Sequence, residues 1–177
     1  RNIISSWKNL TIEFSFHERL GPMLSKGFSR EELAKWVLLN STHVIDMAFY
    51  LGKGLLSYKT LNLGGEDWHP TGALMSFLGK GDYAMYIGTC NFVNTGSWSI
   101  LAKSGNSVLD FQGLERFVYK ENGQIIHETK EDSHGLKPGL ERQTLSFLGH
   151  GEGFISPEEL LQLRDVVWDL AKYSFDS

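Results

Sequence analysis

The sequence predicts an α+β fold, a predominantly antiparallel β-sheet with helices packed on one face. Three observations carry this reading. Helix signals cluster around residues 29–51 and 156–170, while the stretch between about 55 and 130 is rich in β-branched and aromatic residues, and such segregation separates α+β from alternating α/β folds. The strand-like segments are joined by turns far shorter than the dozen or more residues a parallel crossover needs. With 177 residues, folding is expected to hide about 70% of the chain's surface, enough for one core without disulfide or metal staples.

The elements follow in order. A lead-in strand is expected at 11–16. Ser29, with Glu32 three residues on, forms a capping box that opens a helix running into Leu33, Trp36 and Val37. A second helix is expected from about residue 40 or 41 to 51, because Val44, Ile45, Ala48 and Leu51 repeat with a helical period and Gly52 and Gly54 supply a stop. Strands are then expected at 55–63, 72–78, 83–89, 98–103, 107–111, 114–120 and 124–129. Asn122-Gly123 between the last two is a strong hairpin signal, since both central residues of a type I′ turn need positive φ. The chain closes on a helix in which Ser156 caps, Pro157 enters the first turn and Glu159 completes the box, with Leu160, Leu163, Val167 and Leu170 forming the apolar stripe.

Composition excludes several classes. Seventeen Lys plus Arg against 21 Asp plus Glu give a net charge of −4, which argues against a protein whose task is the nucleic-acid backbone. No apolar run approaches the ~20 residues that span a bilayer, so no membrane partner is expected. A single cysteine, Cys90, rules out an intramolecular disulfide framework and a multi-cysteine zinc site, and leans towards a reducing, cytoplasmic location. The chain opens on Arg1 with nothing resembling a signal peptide; it is read as one domain, 1–177, cut from a longer polypeptide.

Few residues carry chemistry. The glycine-rich 149–153 (Gly-His-Gly-Glu-Gly) lacks the strand before it and the helix after it that a dinucleotide fingerprint needs, and reads as a turn. Trp68-His69-Pro70 reads as a surface loop, and Tyr83, Tyr86, Trp98, Phe117 and Tyr119 as sheet packing. His43 and Asp46 stand apart. Three residues apart on a helix, they project from one face. His43 also falls in the expected first turn, where the positive helix end keeps an imidazole neutral and able to take a proton. The plain alternative is that His43 packs under the sheet and Asp46 pairs locally. Two such residues, even with a distant His17, do not make a zinc site.

The stretch from Asn40 to Gly52, with its His43-x-x-Asp46 helix followed by Tyr50, Leu51 and Gly52, resembles the signature of the glucose-fructose oxidoreductase, inositol dehydrogenase and MocA-like family (Gfo/Idh/MocA). The order of elements is also similar to that family's second domain, including a helix near Phe147, so the resemblance spans nearly the whole chain. It implies the substrate-binding and oligomerisation domain of an NAD- or NADP-dependent oxidoreductase acting on a sugar, polyol or sugar nucleotide. The family's preceding nucleotide domain is absent, so this chain alone is expected to bind no cofactor and to be inactive. By resemblance, His43 is the catalytic acid–base and Asp46 grips substrate hydroxyls. Asn40 and the loop His17-Glu18-Arg19 are further substrate-binding candidates, with Arg19 suited to an anionic group. An apolar sheet face left bare by the helices implies a homo-oligomer. One departure stands out: Leu39 replaces the aspartate that many dehydrogenase members carry four residues before the histidine. A nonenzymatic ligand-binding or regulatory module and an NAD-dependent hydrolase or lyase therefore remain alternative readings.

Overall fold

The computed structural model describes residues 3–64, 74–92, 96–114, 116–129 and 156–173. The loop at 68–70, the turn at 149–153 and the expected helix near Phe147 lie outside them. Eight strands form a single sheet in the spatial order β2-β3-β4-β1-β5-β6-β7-β8. They are β1 (Leu10–His17), β2 (Ser57–Asn62), β3 (Leu74–Lys80), β4 (Ala84–Asn91), β5 (Ser97–Ser104), β6 (Ser107–Gln112), β7 (Phe117–Glu121) and β8 (Gln124–Thr129). All seven expected strands and the lead-in strand are present, with ends moved by up to three residues. Asn122 and Gly123 take φ of 51° and 79° in the β7–β8 turn, as the hairpin signal requires.

The pairing departs from a simple meander at one place. β1 lies between β4 and β5, parallel to β4 and antiparallel to β5. Its alternation explains the central position: Leu10, Ile12, Phe14 and Phe16 are buried and face the helices, whereas Thr11, Glu13 and Ser15 face the other side. A strand this apolar on one face loses most by lying at an edge.

Among the described residues four α-helices cover that buried face or flank it: α1 (Leu20–Ser25), α2 (Arg30–Ala34), α3 (Thr42–Gly52) and α4 (Pro157–Ala171). The short α1 lacks a side-chain cap and has no acidic residue in its first turn, so no local signal announces it. Both expected capping boxes form, Ser29 with Glu32 and Ser156 with Glu159. α3 contributes Val44, Ile45, Ala48 and Leu51 to the core, and α4 adds Leu163, Val166, Val167 and Leu170. α4 is also tied to β2, where the Tyr58 hydroxyl donates to Asp169 at 2.5 Å and the Asn62 amide to the Leu170 carbonyl at 3.1 Å. The helix stop comes at Lys53, which adopts the left-handed conformation at φ 62°. Gly52 remains inside α3, where a side chain would run into the Tyr86 ring and hydroxyl.

The far side of the sheet carries no helix among the described residues. There Leu78 on β3 lies opposite Ile87 on β4, with Leu74 and Met85 near by on the same strands. Leu78 is 52% exposed and Ile87 44%, so these strands present an apolar strip to solvent.

Candidate functional site

The helix that carries His43 does not begin where the sequence suggests. Trp36 is already helical, and residues Val37–Ser41 form a π-turn that runs straight into α3. The Thr42 N–H and hydroxyl both donate to the Val37 carbonyl, five residues back. Ser41, at the start of α3, is itself in helical conformation and makes no cap. His43 thus has helical turns on both sides and no free N-terminal amides beneath it. The expectation that a positive helix end holds its imidazole neutral is corrected: the charge needs unsatisfied N–H groups, and here they are bonded into the preceding turn.

The π-turn has a second effect. One extra residue per turn rotates the helix faces past each other. Leu39, four residues before His43, is 56% exposed and points outward, whereas Asn40 is half-buried and directs its amide to Glu18 Oε1 at 3.4 Å. The neighbouring Ser41 hydroxyl donates to the same oxygen at 2.9 Å, and the Trp98 indole N–H at 3.0 Å. Glu18 is only 7% exposed. A carboxylate so placed costs several kcal/mol unless its lone pairs are occupied, and three convergent donors supply that compensation. Glu18 therefore fastens the end of β1 to the π-turn and to the start of β5.

His43 itself is exposed, and its ring centroid lies 6.5 Å from that of Trp98 with the planes inclined at 51°. Asp46, half-buried, stands one turn further on. Burial pushes its carboxyl above the usual 3.8; His43 pulls it down and Glu159, at the start of α4, pushes it up again. Asp46 and His43 are therefore electrostatic neighbours, as their spacing predicts. The folded chain bears a cost for ionising Asp46 that the unfolded chain does not. Stability is thus favoured where both states keep the proton and is lost as pH rises through the folded value. Asp46→Asn is expected to raise the melting temperature at neutral pH, with the gain vanishing as pH falls below 3.8. Thermal melts across that range check it; a gain independent of pH would refute the assignment.

Of the remaining candidates, Arg19 is exposed and its side chain lies against Gly96, just before β5. His17 is not brought to the site. The two-residue period of β1 turns it to the helix-free face, where its Nδ1 lies 3.5 Å from the Ser97 hydroxyl. Two members of the cluster are not among the sequence's site candidates: Ser41, and Trp98, which reads there as sheet packing. A signal existed: Glu18 continues the buried parity of Leu10, Ile12, Phe14 and Phe16, and a carboxylate on a buried parity demands donors. Among the described residues no group of three or more His, Cys, Asp or Glu is arranged to hold a metal ion. Nor do the described residues form a strand, glycine turn and helix able to cradle a dinucleotide.

No family model and no curated protein matches the sequence. Solved structures do match in shape. A Gfo/Idh/MocA family oxidoreductase from Vibrio cholerae superposes at TM-score 0.60 with 10% identity, over 96% of this chain and 51% of that one. The UDP-N-acetylglucosamine 3-dehydrogenase of Acidithiobacillus ferrooxidans gives TM-score 0.67 at 8% identity, over 96% and 54%. A levoglucosan dehydrogenase in complex with NADH gives 0.62 at 10%, over 97% and 57%. The chain spans about half the length of these structures. Its fold is that of the second domain of Gfo/Idh/MocA oxidoreductases, as the motif from His43 to Gly52 implied.

Proposed function

We propose that this chain is the substrate-binding and oligomerisation half of a Gfo/Idh/MocA-type, NAD(P)-dependent oxidoreductase that acts on a sugar, polyol or sugar nucleotide. The observation that carries the reading is the exposed His43 imidazole beside a half-buried Asp46, on a fold shared with dehydrogenases of a sugar nucleotide and of an anhydrosugar. The nicotinamide supplies hydride chemistry. This chain's residues do the rest: His43 takes or returns the proton of the reacting hydroxyl, and Asp46 accepts hydrogen bonds from neighbouring hydroxyls. In this reading the cofactor is held by a nucleotide domain of the parent, as the resemblance implies. The isolated 177-residue chain is expected to show no saturable binding of NAD(H) or NADP(H) by calorimetry; tight 1:1 binding would overturn this part.

A second reading rests on Leu39, which stands four residues before His43 in place of the aspartate of many dehydrogenase members, so that position supplies no carboxylate to orient the imidazole. Under it the fold binds a ligand without chemistry. An assay of the parent carrying both domains separates the outcomes. Net formation of NADH marks a dehydrogenase, turnover without net NADH a hydrolase or lyase that uses NAD transiently, and ligand binding without turnover the nonenzymatic module.

The apolar strip on the helix-free face is assigned to self-association. In light scattering the chain is expected to run at twice its monomer mass or more, and Ile87→Lys, which places a charge in the middle of the strip, is expected to yield monomer with an unchanged fold. A wild-type chain that stays monomeric at high concentration would refute the assignment. We place the protein in the cytoplasm on the strength of its one buried thiol; no helix among the described residues is long and apolar enough to cross a membrane.

A further inference from the structure

Most tryptophan rings in the described structure pack against another aromatic side chain of the fold. Trp7 lies against Tyr119, Trp36 against Phe28 and Trp168 against Tyr173. Trp98 differs, since its aromatic neighbour is the exposed His43. It stands at the start of β5 on the helix-side face, across the ladder from Phe16, and remains only partly buried.

We propose that Trp98 is a specificity-determining residue of the site, a fixed platform for the apolar face of a sugar-like ring whose hydroxyls reach His43 and Asp46. The proposal rests on the oxidoreductase reading above and adds to it the group that recognises the ring. Three features support it. The indole and the imidazole are side by side, their centroids 6.5 Å apart and their planes inclined at 51°, so a ring lying on the indole face brings its rim to the imidazole, an apolar surface beside a polar group, the combination that small-molecule sites use to hold and orient a ligand. A pyranose suits such a pair because its C–H faces are apolar and its rim is hydroxylated, so an amphipathic indole serves it better than an aliphatic side chain. The platform is also rigid. The indole N–H is anchored on Glu18, and Glu18 is held in turn by Asn40 and Ser41 of the π-turn that leads into His43. The orientation of the ring and the position of the imidazole are therefore set by one network, and a ligand meets both groups without first ordering them. Glu18 and Asn40 act here as positioning residues, through Trp98 and not by touching the ligand.

The test is a titration of the 177-residue chain with levoglucosan and with UDP-N-acetylglucosamine, followed by NMR at the Trp98 indole N–H and the His43 ring protons. Both sets of signals are expected to move together and saturate with at least one of the two sugars. Trp98→Leu should weaken that binding about tenfold, while Trp98→Phe, which keeps an aromatic face, should weaken it less. Trp98→Met serves in the same role if the leucine variant does not fold. A folded Trp98→Leu or Trp98→Met that binds as wild type does would overturn the platform and leave the carbohydrate reading standing. If neither sugar moves the His43 signals of the wild-type chain, the carbohydrate reading fails and the platform falls with it.

Discussion

In the oxidoreductase proposed above, replacing His43 with asparagine is expected to slow turnover by about 10²–10⁴-fold, the span that general acid–base catalysis contributes. Asparagine retains hydrogen-bonding capacity and much of the bulk, but it cannot take up or release a proton near neutral pH. The loss should therefore appear in kcat, with substrate binding less affected, because the interaction removed exists chiefly in the transition state. His43 is exposed on α3 and takes no part in the buried core, so the fold should hardly notice; exposed substitutions of this kind cost within about 0.5 kcal/mol. The melting temperature of the same variant is the control. A full-rate His43→Asn enzyme would remove the imidazole from the mechanism, and a rate loss accompanied by unfolding would return it to a structural role.

The second large effect is expected at the centre of the sheet. Gly88 on β4 lies in register between Phe14 of β1 and Phe77 of β3, and the two rings meet across it with centroids 5.6 Å apart. A Cβ at Gly88 would come 2.5 Å from Phe14 Cε2 and 2.9 Å from Phe77 Cβ. The first contact can be relieved by turning a ring, although that ring is buried and packed; the second is fixed by the backbone of β3. Two opposing terms decide the sign. Alanine restricts the unfolded chain and would stabilise the fold by about 0.4–1 kcal/mol where it fits. Overpacking a dense core costs about 1–3 kcal/mol and occasionally more. With clashes on both flanking strands, Gly88→Ala is expected to destabilise by about 2–3 kcal/mol in urea denaturation. Adding Phe14→Leu should recover part of this, a non-additivity expected of residues in contact. A neutral Gly88→Ala would show that the two rings repack freely.

The same pair of cases shows where local information ends. The His43–Asp46 spacing was legible because i and i+3 share a helix face in any helix, whatever surrounds it. The bounds of that helix were not legible. The helical period of Val44, Ile45, Ala48 and Leu51 places its start near residue 40 or 41, and the chain instead enters through a π-turn, which takes the free amides from beneath His43 and turns Leu39 outward. Gly52 was read as a stop and proves to be a point of close approach, where Tyr86 of β4 occupies the space a side chain would fill. That requirement comes from a residue 34 positions away and leaves no local trace.

Short-range chemistry, then, was determined by the amino-acid order alone: the two capping boxes, the Asn122-Gly123 turn, the period-two faces of the strands and the helical stripe of α4 at Leu163, Val167 and Leu170, while Leu160, expected in the same stripe, lies exposed. Each depends on groups within about four residues of one another, so the local sequence contains all the partners. Tertiary structure decided the rest. It slotted β1 between β4 and β5 and gave Glu18 its three donors from the π-turn and from β5. These are long-range choices, set by which arrangement buries the apolar face of β1 and satisfies one buried carboxylate, and no window of neighbouring residues contains both halves of either contact.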